Sequence, residues 1–269
     1  MNRELFVQKY GPWAVVTGAS DGIGRAFAEQ LAALGMNVVL VARRGDRLQQ
    51  LATEIRLRYQ VEARVIAADL SAAMGRATVE EGTTGLDVGL LVAAAGFGTS
   101  GPVISANLDV ERNMLDINCF AVLEQSVAFG QRFVKRGRGG IILMASLLGW
   151  QGVSGAAHYA ATKAYVQSLA EGLHRELASS NVDVLASAPG PVNSGFAGRA
   201  DMRMGKADAP ATVARASLQA LGTKATVIPG ALGKFLSYSL LSLPRFLRVR
   251  ILTGVIASMT QHQSAYSSQ

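Results

Sequence analysis

A tyrosine and a lysine four residues apart have the spacing and side-chain types for proton transfer. Tyr159 and Lys163 lie in the segment HYAATKAY, and a helix there presents both side chains on one face. Thirteen residues before the tyrosine, Ser146 closes the apolar run IILMAS. A free phenol has a pKa of about 10, and a nearby ammonium is expected to lower it. Such a pair could protonate the oxygen of a carbonyl group under reduction, with Ser146 orienting that oxygen.

A glycine-rich turn near the start of the chain has the features of a phosphate-binding loop. It reads TGASDGIG over residues 17–24, between an apolar strand (AVVT) and a helical pattern. Gly18 permits a tight turn, Gly22 lets the backbone approach a pyrophosphate, and Gly24 lets the helix pack on the sheet. The helix then offers free N–H groups to the phosphates. The spacing TGxxxGxG differs from GxGxxG, and the alternative is a glycine-rich turn without a ligand.

The end of the second strand indicates which dinucleotide would bind. An NAD site usually ends this strand with an acidic residue that contacts the adenosine ribose. This chain instead has Arg43 and Arg44, whose guanidinium groups suit a 2′-phosphate. We therefore expect NADP(H) as the cofactor. The alternative is that the two arginines are solvated residues at the start of a helix.

Strand and helix patterns alternate along the chain. Apolar runs predict strands at residues 14–17, 37–42, 63–68, 88–95, 140–146 and 182–188. Helical spacing covers the segment that ends at Leu34 before Gly35, and residues 46–59, 108–134 and 157–178. This alternation predicts an α/β fold with a doubly wound parallel sheet, helices covering both faces and ligands at the carboxyl ends of the strands. We expect one catalytic domain over residues 1–230 and a C-terminal extension over 231–269.

These motifs together resemble those of the short-chain dehydrogenase/reductase superfamily over roughly residues 12–230. The resemblance is carried by the TGxxxGxG turn, the set Asn118, Ser146, Tyr159 and Lys163, and a Pro-Gly pair after the sixth strand. It implies a Rossmann-type sheet of seven strands and hydride transfer between NAD(P)(H) and a carbonyl or alcohol. It also implies that Asn118 holds a water in a proton relay. A narrower similarity is to the branch of hydroxysteroid dehydrogenases and 3-ketoacyl reductases.

The resemblance extends the expected cofactor site beyond the turn and the arginines. It implies that Asp69 contacts the adenine ring and that the loop from Pro189 to Ser194 holds the nicotinamide carboxamide. The expected cofactor-binding residues are Thr17, Gly18, Ser20, Asp21, Gly22, Ile23, Gly24, Arg43, Arg44, Asp69, Leu70, Ala95, Gly96, Tyr159, Lys163, Pro189, Gly190, Val192 and Ser194. One departure is Ala93-Ala94 where the family usually has two asparagines. We expect weaker polar bracing of the cleft there.

Three segments beyond the strand ends are expected to set substrate specificity. They are residues 97–101, residues 147–155 with Trp150, and residues 195–206. The last contains Phe196, Met202 and Met204 among glycines and charges, which is typical of a mobile flap over an active site. Because no pair of carboxylates or arginines awaits a polar group, we expect a lipophilic ketone or its alcohol as substrate. His158 is expected to line the cleft without acting as an acid or base.

Composition excludes several other classes of protein. The chain has 269 residues, of which 49% are hydrophobic, so it can bury a large core and is not disordered. One cysteine, Cys119, and three separated histidines argue against disulfides and against a metal site. A reducing, cytoplasmic location fits best, and no export signal is apparent. The formal charge of +7 is not clustered into a basic tract, so we expect no nucleic-acid partner.

The C-terminal segment has its own composition. No acidic residue follows Asp208, whereas residues 234–259 mix leucine and phenylalanine with one lysine and three arginines. We favour packing of this segment against the domain or a second subunit; the alternative is peripheral contact with an anionic membrane. The resemblance implies a homodimer or homotetramer formed through the helices that carry Asn118 and Tyr159. The main alternative to an enzyme is a dinucleotide-binding sensor without turnover, although such proteins tend to lose the tyrosine or lysine.

Overall fold

The computed structural model describes residues 2–264, which form a parallel sheet covered by helices on both faces. The first half contains α1 (Arg3–Tyr10), β1 (Trp13–Thr17), α2 (Gly22–Ala33), β2 (Asn37–Ala42), α3 (Gly45–Tyr59), β3 (Ala63–Ala67), α4 (Ala73–Gly82) and β4 (Val88–Ala93). Next come α5 (Leu108–Leu115), a π-helical turn (Asp116–Phe120), α6 (Ala121–Arg136), β5 (Gly139–Met144), α7 (Ala157–Glu176) and β6 (Val182–Ser187). The chain continues through α8 (Phe196–Arg199), α9 (Pro210–Ala220), β7 (Thr226–Val227), α10 (Ala231–Leu241), α11 (Arg245–Met259) and α12 (Gln261–Ser264).

The seven strands form one sheet in the order β3-β2-β1-β4-β5-β6-β7, and all pairs are parallel. This confirms the predicted doubly wound architecture. The strands from β1 to β3 extend the sheet on one side and those from β4 to β7 extend it on the other, so the strand order reverses between β1 and β4. A crevice at such a switch point is where open parallel sheets bind ligands.

The core lies on both faces of the sheet because neighbouring residues of each strand point in opposite directions. Val16 packs with Phe27 and Leu31 of α2 on one face. Val15 packs on the other face with Phe129 and Phe133 of α6. These side chains are fully or almost fully buried, so the sheet is a rigid platform for the loops at its carboxyl edge.

The element bounds differ from the sequence predictions in a few places. The strands predicted at 63–68, 88–95, 140–146 and 182–188 end one or two residues earlier. The resemblance implied a seventh strand without its position, and no bounds were predicted for α1, α4 and α8 to α12. The helix predicted over 108–134 is interrupted by the π turn and ends at Arg136. The boundary at residue 230 stays a prediction, and residues 265–269 of the expected extension lie outside the described part. No described helix is long and apolar enough to cross a membrane.

Candidate active site

The carboxyl ends of the central strands meet at one edge of the sheet, and the site is built there. Thr17 ends β1, and its buried Oγ1 accepts a hydrogen bond of 3.0 Å from the N–H of Ala95, which follows β4. Polar bracing at this point therefore comes from β1. This hydrogen bond connects the start of the glycine turn to the segment after β4, where Ala93-Ala94 stands in place of the two asparagines usual in the family.

The glycine turn packs closely against its neighbours. A Cβ added at Gly24 would lie 2.3 Å from the Gly18 carbonyl oxygen, and one at Gly22 would lie 2.8 Å from Cβ of Ser194. Gly18 also has a positive φ of 68°, which disfavours other residues. Asp21 caps α2 by accepting a 2.7 Å hydrogen bond from the Gly22 N–H. The loop ending at Ser194 thus contacts the start of α2, into which the turn leads.

The two arginines predicted to bind a phosphate flank this turn. Arg44 donates hydrogen bonds of 3.3 and 3.0 Å from Nε and Nη2 to Oγ of Ser20. Arg43 Nη1 lies 3.9 Å from Oδ2 of Asp69, and both arginine side chains are about half exposed, at 48% and 45%. The two guanidinium groups can therefore reach a phosphate beside the turn without leaving the surface.

Asp69 has a structural partner in the chain itself. Its Oδ1 accepts hydrogen bonds from the N–H and hydroxyl of Ser71 at 3.0 and 2.8 Å. Burial would raise the pKa of Asp69, but these two bonds, with Arg43 and Arg199, lower it below its usual value. The neighbouring Leu70 is buried in the core with a relative exposure of 4%, and its expected role at the cofactor stays a prediction.

Tyr159 and Lys163 lie one turn apart on α7, beside the end of β5. Lys163 Nζ donates a 2.8 Å hydrogen bond to the Met144 carbonyl oxygen and lies 5.8 Å from the centre of the Tyr159 ring. Ser146 follows β5, interacts with the Tyr159 phenol, and accepts a 3.2 Å hydrogen bond from the Leu148 N–H. No sequence pattern pointed to Met144, because a backbone carbonyl accepts a hydrogen bond whatever side chain its residue carries.

Burial dominates the pKa values of both groups. It raises the pKa of the Tyr159 phenol to about 12, and the hydrogen bond with Ser146 opposes this rise. Burial lowers the pKa of the Lys163 ammonium to about 8. Burial thus dominates the Tyr159 pKa in this structure, and the expectation that Lys163 together with a bound nicotinamide lowers this pKa stays a prediction.

Asn118 is fully buried in the π turn and connects three parts of the site. Its Oδ1 accepts a 3.1 Å hydrogen bond from the Phe97 N–H, and its Nδ2 donates to the Phe97 carbonyl at 2.8 Å and to Thr162 Oγ1 at 3.0 Å. A Cβ at Gly96 would lie 2.8 Å from Asn118 Oδ1 and 3.7 Å from Lys163 Nζ. The π turn thus holds the loop after β4 against α7, a use common for such turns at functional sites.

A cavity of about 170 Å³ opens next to these groups. Four of its polar side chains come from Ser146, Tyr159, Lys163 and Ser194. Most of the remaining wall is apolar: Ile23, Ala94, Gly96, Phe97, Met144, Ala145, Leu147, Leu148, Pro189, Gly190, Pro191, Val192, Phe196, Met202, Met204, Leu236, Leu252, Val255, Ile256 and Met259. The predicted reacting groups and the loop from Pro189 to Ser194 therefore face one space.

The segment 195–206, here called the flap, covers this cavity. The Phe196 ring lies 5.3 Å from the Tyr159 ring, centre to centre. Arg199 has its Cζ 4.0 Å from the centre of the Phe97 ring. Burial and the charge of Arg43 lower the pKa of Arg199, and the charge of Asp69 opposes this shift. The Arg199 side chain therefore interacts electrostatically with Arg43 and Asp69, two of the expected cofactor-binding residues. No sequence pattern pointed to Arg199 as a residue of the site.

The two C-terminal helices complete the cavity wall. Leu252 and Ile256 of α11 are buried with Val153 and Met202, and Leu236 of α10 also reaches the cavity. These contacts join segments far apart in sequence. Only the unusual composition of residues 234–259 pointed to them.

In two of the three predicted specificity segments, 97–101 and 147–155, different residues line different cavities. Phe97 lines the main cavity, but residues 99–101 line a neighbouring cavity of about 380 Å³ together with His158. His158 pairs through Nδ1 with Glu111 there. Trp150 lines a small third cavity that shares Leu147, Leu236 and Leu252 with the main one, and its contact with the substrate stays a prediction. Within residues 2–264, no group of three or more His, Cys, Asp or Glu side chains could hold a metal.

Comparison with known proteins links the chain to characterised relatives. The family model described as short chain dehydrogenase matches residues 12–204. A very-long-chain 3-oxoacyl-CoA reductase of Homo sapiens is 30% identical over 260 residues, covering 94% of this chain and 82% of the relative. A very-long-chain 3-oxoacyl-CoA reductase-B of Danio rerio is 36% identical over 183 residues, covering 66% of this chain. That match spans only 59% of the Danio rerio protein.

Solved structures that superpose on this chain also include dehydrogenases. A structure from work on 7beta-hydroxysteroid dehydrogenase stereoselectivity superposes with a TM-score of 0.85 at 28% identity, covering 92% of this chain and 98% of that chain. A short-chain dehydrogenase of Sphingobium yanoikuyae in complex with NADPH superposes with a TM-score of 0.77 at 28% identity. It covers 85% of this chain and 92% of that chain.

Proposed function

The chain belongs to the short chain dehydrogenase family, and on that basis we propose that it is an NADP(H)-dependent oxidoreductase interconverting a lipophilic ketone and its secondary alcohol. The family membership makes it an oxidoreductase. The observation that carries the finer proposal is the cavity, where Ser146, Tyr159 and Lys163 converge within a mainly apolar wall. A catalytic site of this kind needs few polar groups, each placed at the reacting oxygen.

The residues around the glycine turn fit a dinucleotide with a 2′-phosphate. The backbone at Gly22 and Gly24 is too closely approached for a side chain, as a phosphate cradle requires. Arg43 and Arg44 are half-exposed cations beside it, and the NADPH complex of the Sphingobium yanoikuyae relative supports the same preference. Asp69 would lie near the adenosine end through its contact with Arg43.

When bound, the dinucleotide would supply or accept the hydride. The side chains of the protein donate or accept the proton. Tyr159, with a pKa of about 12, stays protonated at neutral pH and donates its proton to the carbonyl oxygen during reduction. Ser146 interacts with the same phenol and orients the substrate oxygen. Lys163, fixed by the Met144 carbonyl, supplies a positive charge that stabilises the phenolate left behind.

Asn118 acts as a positioning residue in this proposal. Its three hydrogen bonds hold Phe97 and Thr162, and Thr162 lies on α7 between Tyr159 and Lys163. The complete burial of Asn118 supports this positioning role, and the water that the resemblance implies beside it stays a prediction. Its role is to keep the loop after β4 at a fixed distance from α7.

The apolar wall supports a lipophilic substrate. Leucine, isoleucine, valine and methionine side chains of the flap, α10 and α11 face the reacting groups, and burying apolar ligand surface against them is favourable. By name, the relatives act on very-long-chain 3-oxoacyl-CoA and 7beta-hydroxysteroids, which carry a long acyl chain and a steroid ring system respectively, both apolar. We therefore place the substrate among bulky apolar ketones.

We also propose a homo-oligomer formed through α6 and α7. Phe120, Val127 and Val134 recur every seven residues and are 47%, 49% and 42% exposed, and Tyr165 on α7 is 39% exposed. A stripe of this kind on two long helices suits packing against a second copy. Light scattering after size exclusion tests it: a dimer or tetramer that Val127→Glu reduces to a monomer supports the proposal, and a wild-type monomer contradicts it.

A ketone panel tests the proposed activity. The purified protein is mixed with NADPH or NADH and with ketones that range from small and charged to bulky and apolar. We expect oxidation of NADPH, faster than of NADH, with bulky apolar ketones and none with Tyr159→Phe. Turnover confined to small charged ketones would contradict the substrate class. NADPH binding without turnover of any ketone would favour a sensor.

A further inference from the structure

Three large aromatic side chains on the C-terminal helices point into solvent. Phe235, Tyr238 and Phe246 are 70%, 65% and 69% exposed. Aromatic side chains of this size normally bury most of their surface, so three of them in one region mark an interaction surface.

Helical geometry gathers these side chains on the outer side of the cavity wall. On α10 the exposed Lys234, Phe235 and Tyr238 have the spacing of one helix face, while Leu236 reaches the cavity. On α11 the exposed Phe246 and Arg250 are four residues apart and face a different side of the helix from the buried Leu252 and Ile256, whereas Arg245 is exposed at the start of the helix. We call Lys234, Phe235, Tyr238, Arg245, Phe246 and Arg250 the aromatic-basic face.

The charge on this face has one sign. Lys234, Arg245 and Arg250 are exposed, and none of the ion pairs among residues 2–264 involves them. No aspartate or glutamate follows Asp208 in the sequence. The partner of this face must therefore supply the negative charge.

The charge argues against a second copy of the chain as that partner. A two-fold interface brings the same patch of both copies together, so Lys234, Arg245 and Arg250 would face like charges. An anionic bilayer satisfies both features, because its head groups attract cations and its interface accommodates aromatic rings.

We propose that the aromatic-basic face docks the protein on an anionic membrane surface. Phe235, Tyr238 and Phe246 enter the interface between head groups and acyl chains, while Lys234, Arg245 and Arg250 contact the head groups. The inner sides of the same helices wall the cavity. Docking would thus bring the cavity close to a phase where apolar ketones dissolve; this last point alone rests on the proposed function.

Vesicle sedimentation tests the docking without any need for activity. The full chain is mixed with vesicles of phosphatidylcholine alone or with added phosphatidylserine, at low and high salt. We expect binding to the anionic vesicles that weakens at high salt, and at least roughly tenfold weaker binding to the neutral ones. Equal binding to both vesicle types, or none, overturns the proposal.

Paired variants assign the binding to this face. Lys234→Glu with Arg250→Glu removes the charge, and Phe235→Ser with Phe246→Ser removes the rings; each pair should weaken binding by about tenfold or more. Leu57→Ser with Arg58→Glu makes a matched change on exposed residues of α3 and should leave binding unchanged. Unchanged binding by both first pairs overturns the proposal. So does a change of oligomeric state by the Phe235/Phe246 pair without loss of vesicle binding.

Hydrogen exchange on the wild-type protein covers the case in which a variant fails to fold. Amides of α10 and the first half of α11 should exchange more slowly with anionic vesicles present, and amides of α3 should be unaffected. Absence of such protection in a vesicle-bound sample contradicts the proposal. Activity on a water-soluble ketone, measured separately, tells failure of docking from failure of the proposed chemistry.

Discussion

The ring of Phe196 in the flap packs against the ring of Tyr159, with their centres 5.3 Å apart. Burial raises the pKa of the Tyr159 phenol, and the Phe196 ring is one of the groups packed against it. In this arrangement the flap residue and the proposed proton donor share one apolar environment, so flap position and acidity are connected.

Removal of the Phe196 ring should make the Tyr159 phenol more acidic. We expect Phe196→Ala to lower the Tyr159 pKa from about 12 toward the ordinary value, because water regains access to the phenol. The ultraviolet absorbance of phenolate measures this as the difference between Phe196→Ala and the same variant with Tyr159→Phe. Leu57→Ala, exposed on α3, is the control. An unchanged pKa in Phe196→Ala would show that the ring does not shield the phenol.

Cofactor preference should depend on Arg44. Arg44→Gln removes a charged donor beside the turn, and a lost charge-assisted hydrogen bond of about 1.5–3 kcal/mol corresponds to roughly a 10- to 100-fold higher KM for NADPH. The KM for NADH should change little, because NADH lacks the 2′-phosphate. Arg47→Gln, one turn further along α3, is the matched control. Equal losses with both cofactors would place the 2′-phosphate elsewhere.

The rate of ketone reduction should fall at alkaline pH. Reduction needs Tyr159 and Lys163 in their protonated forms, and with a pKa of about 8 Lys163 loses its proton first as the pH rises. We expect kcat/KM to be level below pH of about 8 and to fall above it by about tenfold per unit. Lys163→Arg should be slower but lack this decline, since a guanidinium does not titrate there. The same decline in Lys163→Arg would assign it to another group.

Much of this arrangement follows from the sequence. The β1 turn, the strand-end Ser146 and the pair of Tyr159 and Lys163 are local patterns, and an all-parallel sheet brings their strand ends together. The predicted flap residues Phe196, Met202 and Met204 also line the cavity.

Other features depend on contacts that no local pattern contains. β7 has two residues, too few for a hydrophobic period, and α4 begins without a side-chain cap. Trp150 lies in an apolar run that suits either cavity equally well. The C-terminal wall arises from packing of α11 on residues about a hundred positions earlier, such as Val153, which periodicity cannot reveal.

The close packing of the turn should make Gly24 intolerant of substitution. In Gly24→Ala the new methyl group would collide with the Gly18 carbonyl oxygen, so we expect the free energy of unfolding to fall by ~1–3 kcal/mol. We also expect NADPH to bind more weakly. Chemical denaturation measures the first effect. Gly254→Ala on α11 is the matched control, since nothing lies within 4 Å of its added Cβ. Equal stabilities of the two variants would contradict the packing.

Single-turnover reduction of a bulky ketone by Tyr159→Phe, with NADPH affinity measured on the same preparation, tests the central claim most directly. Phenylalanine keeps the ring against Phe196 but removes the proton. We predict a rate lower by roughly 10²- to 10⁴-fold and an NADPH Kd close to that of the wild type. A rate within a few-fold of wild type would mean that Tyr159 is not the proton donor.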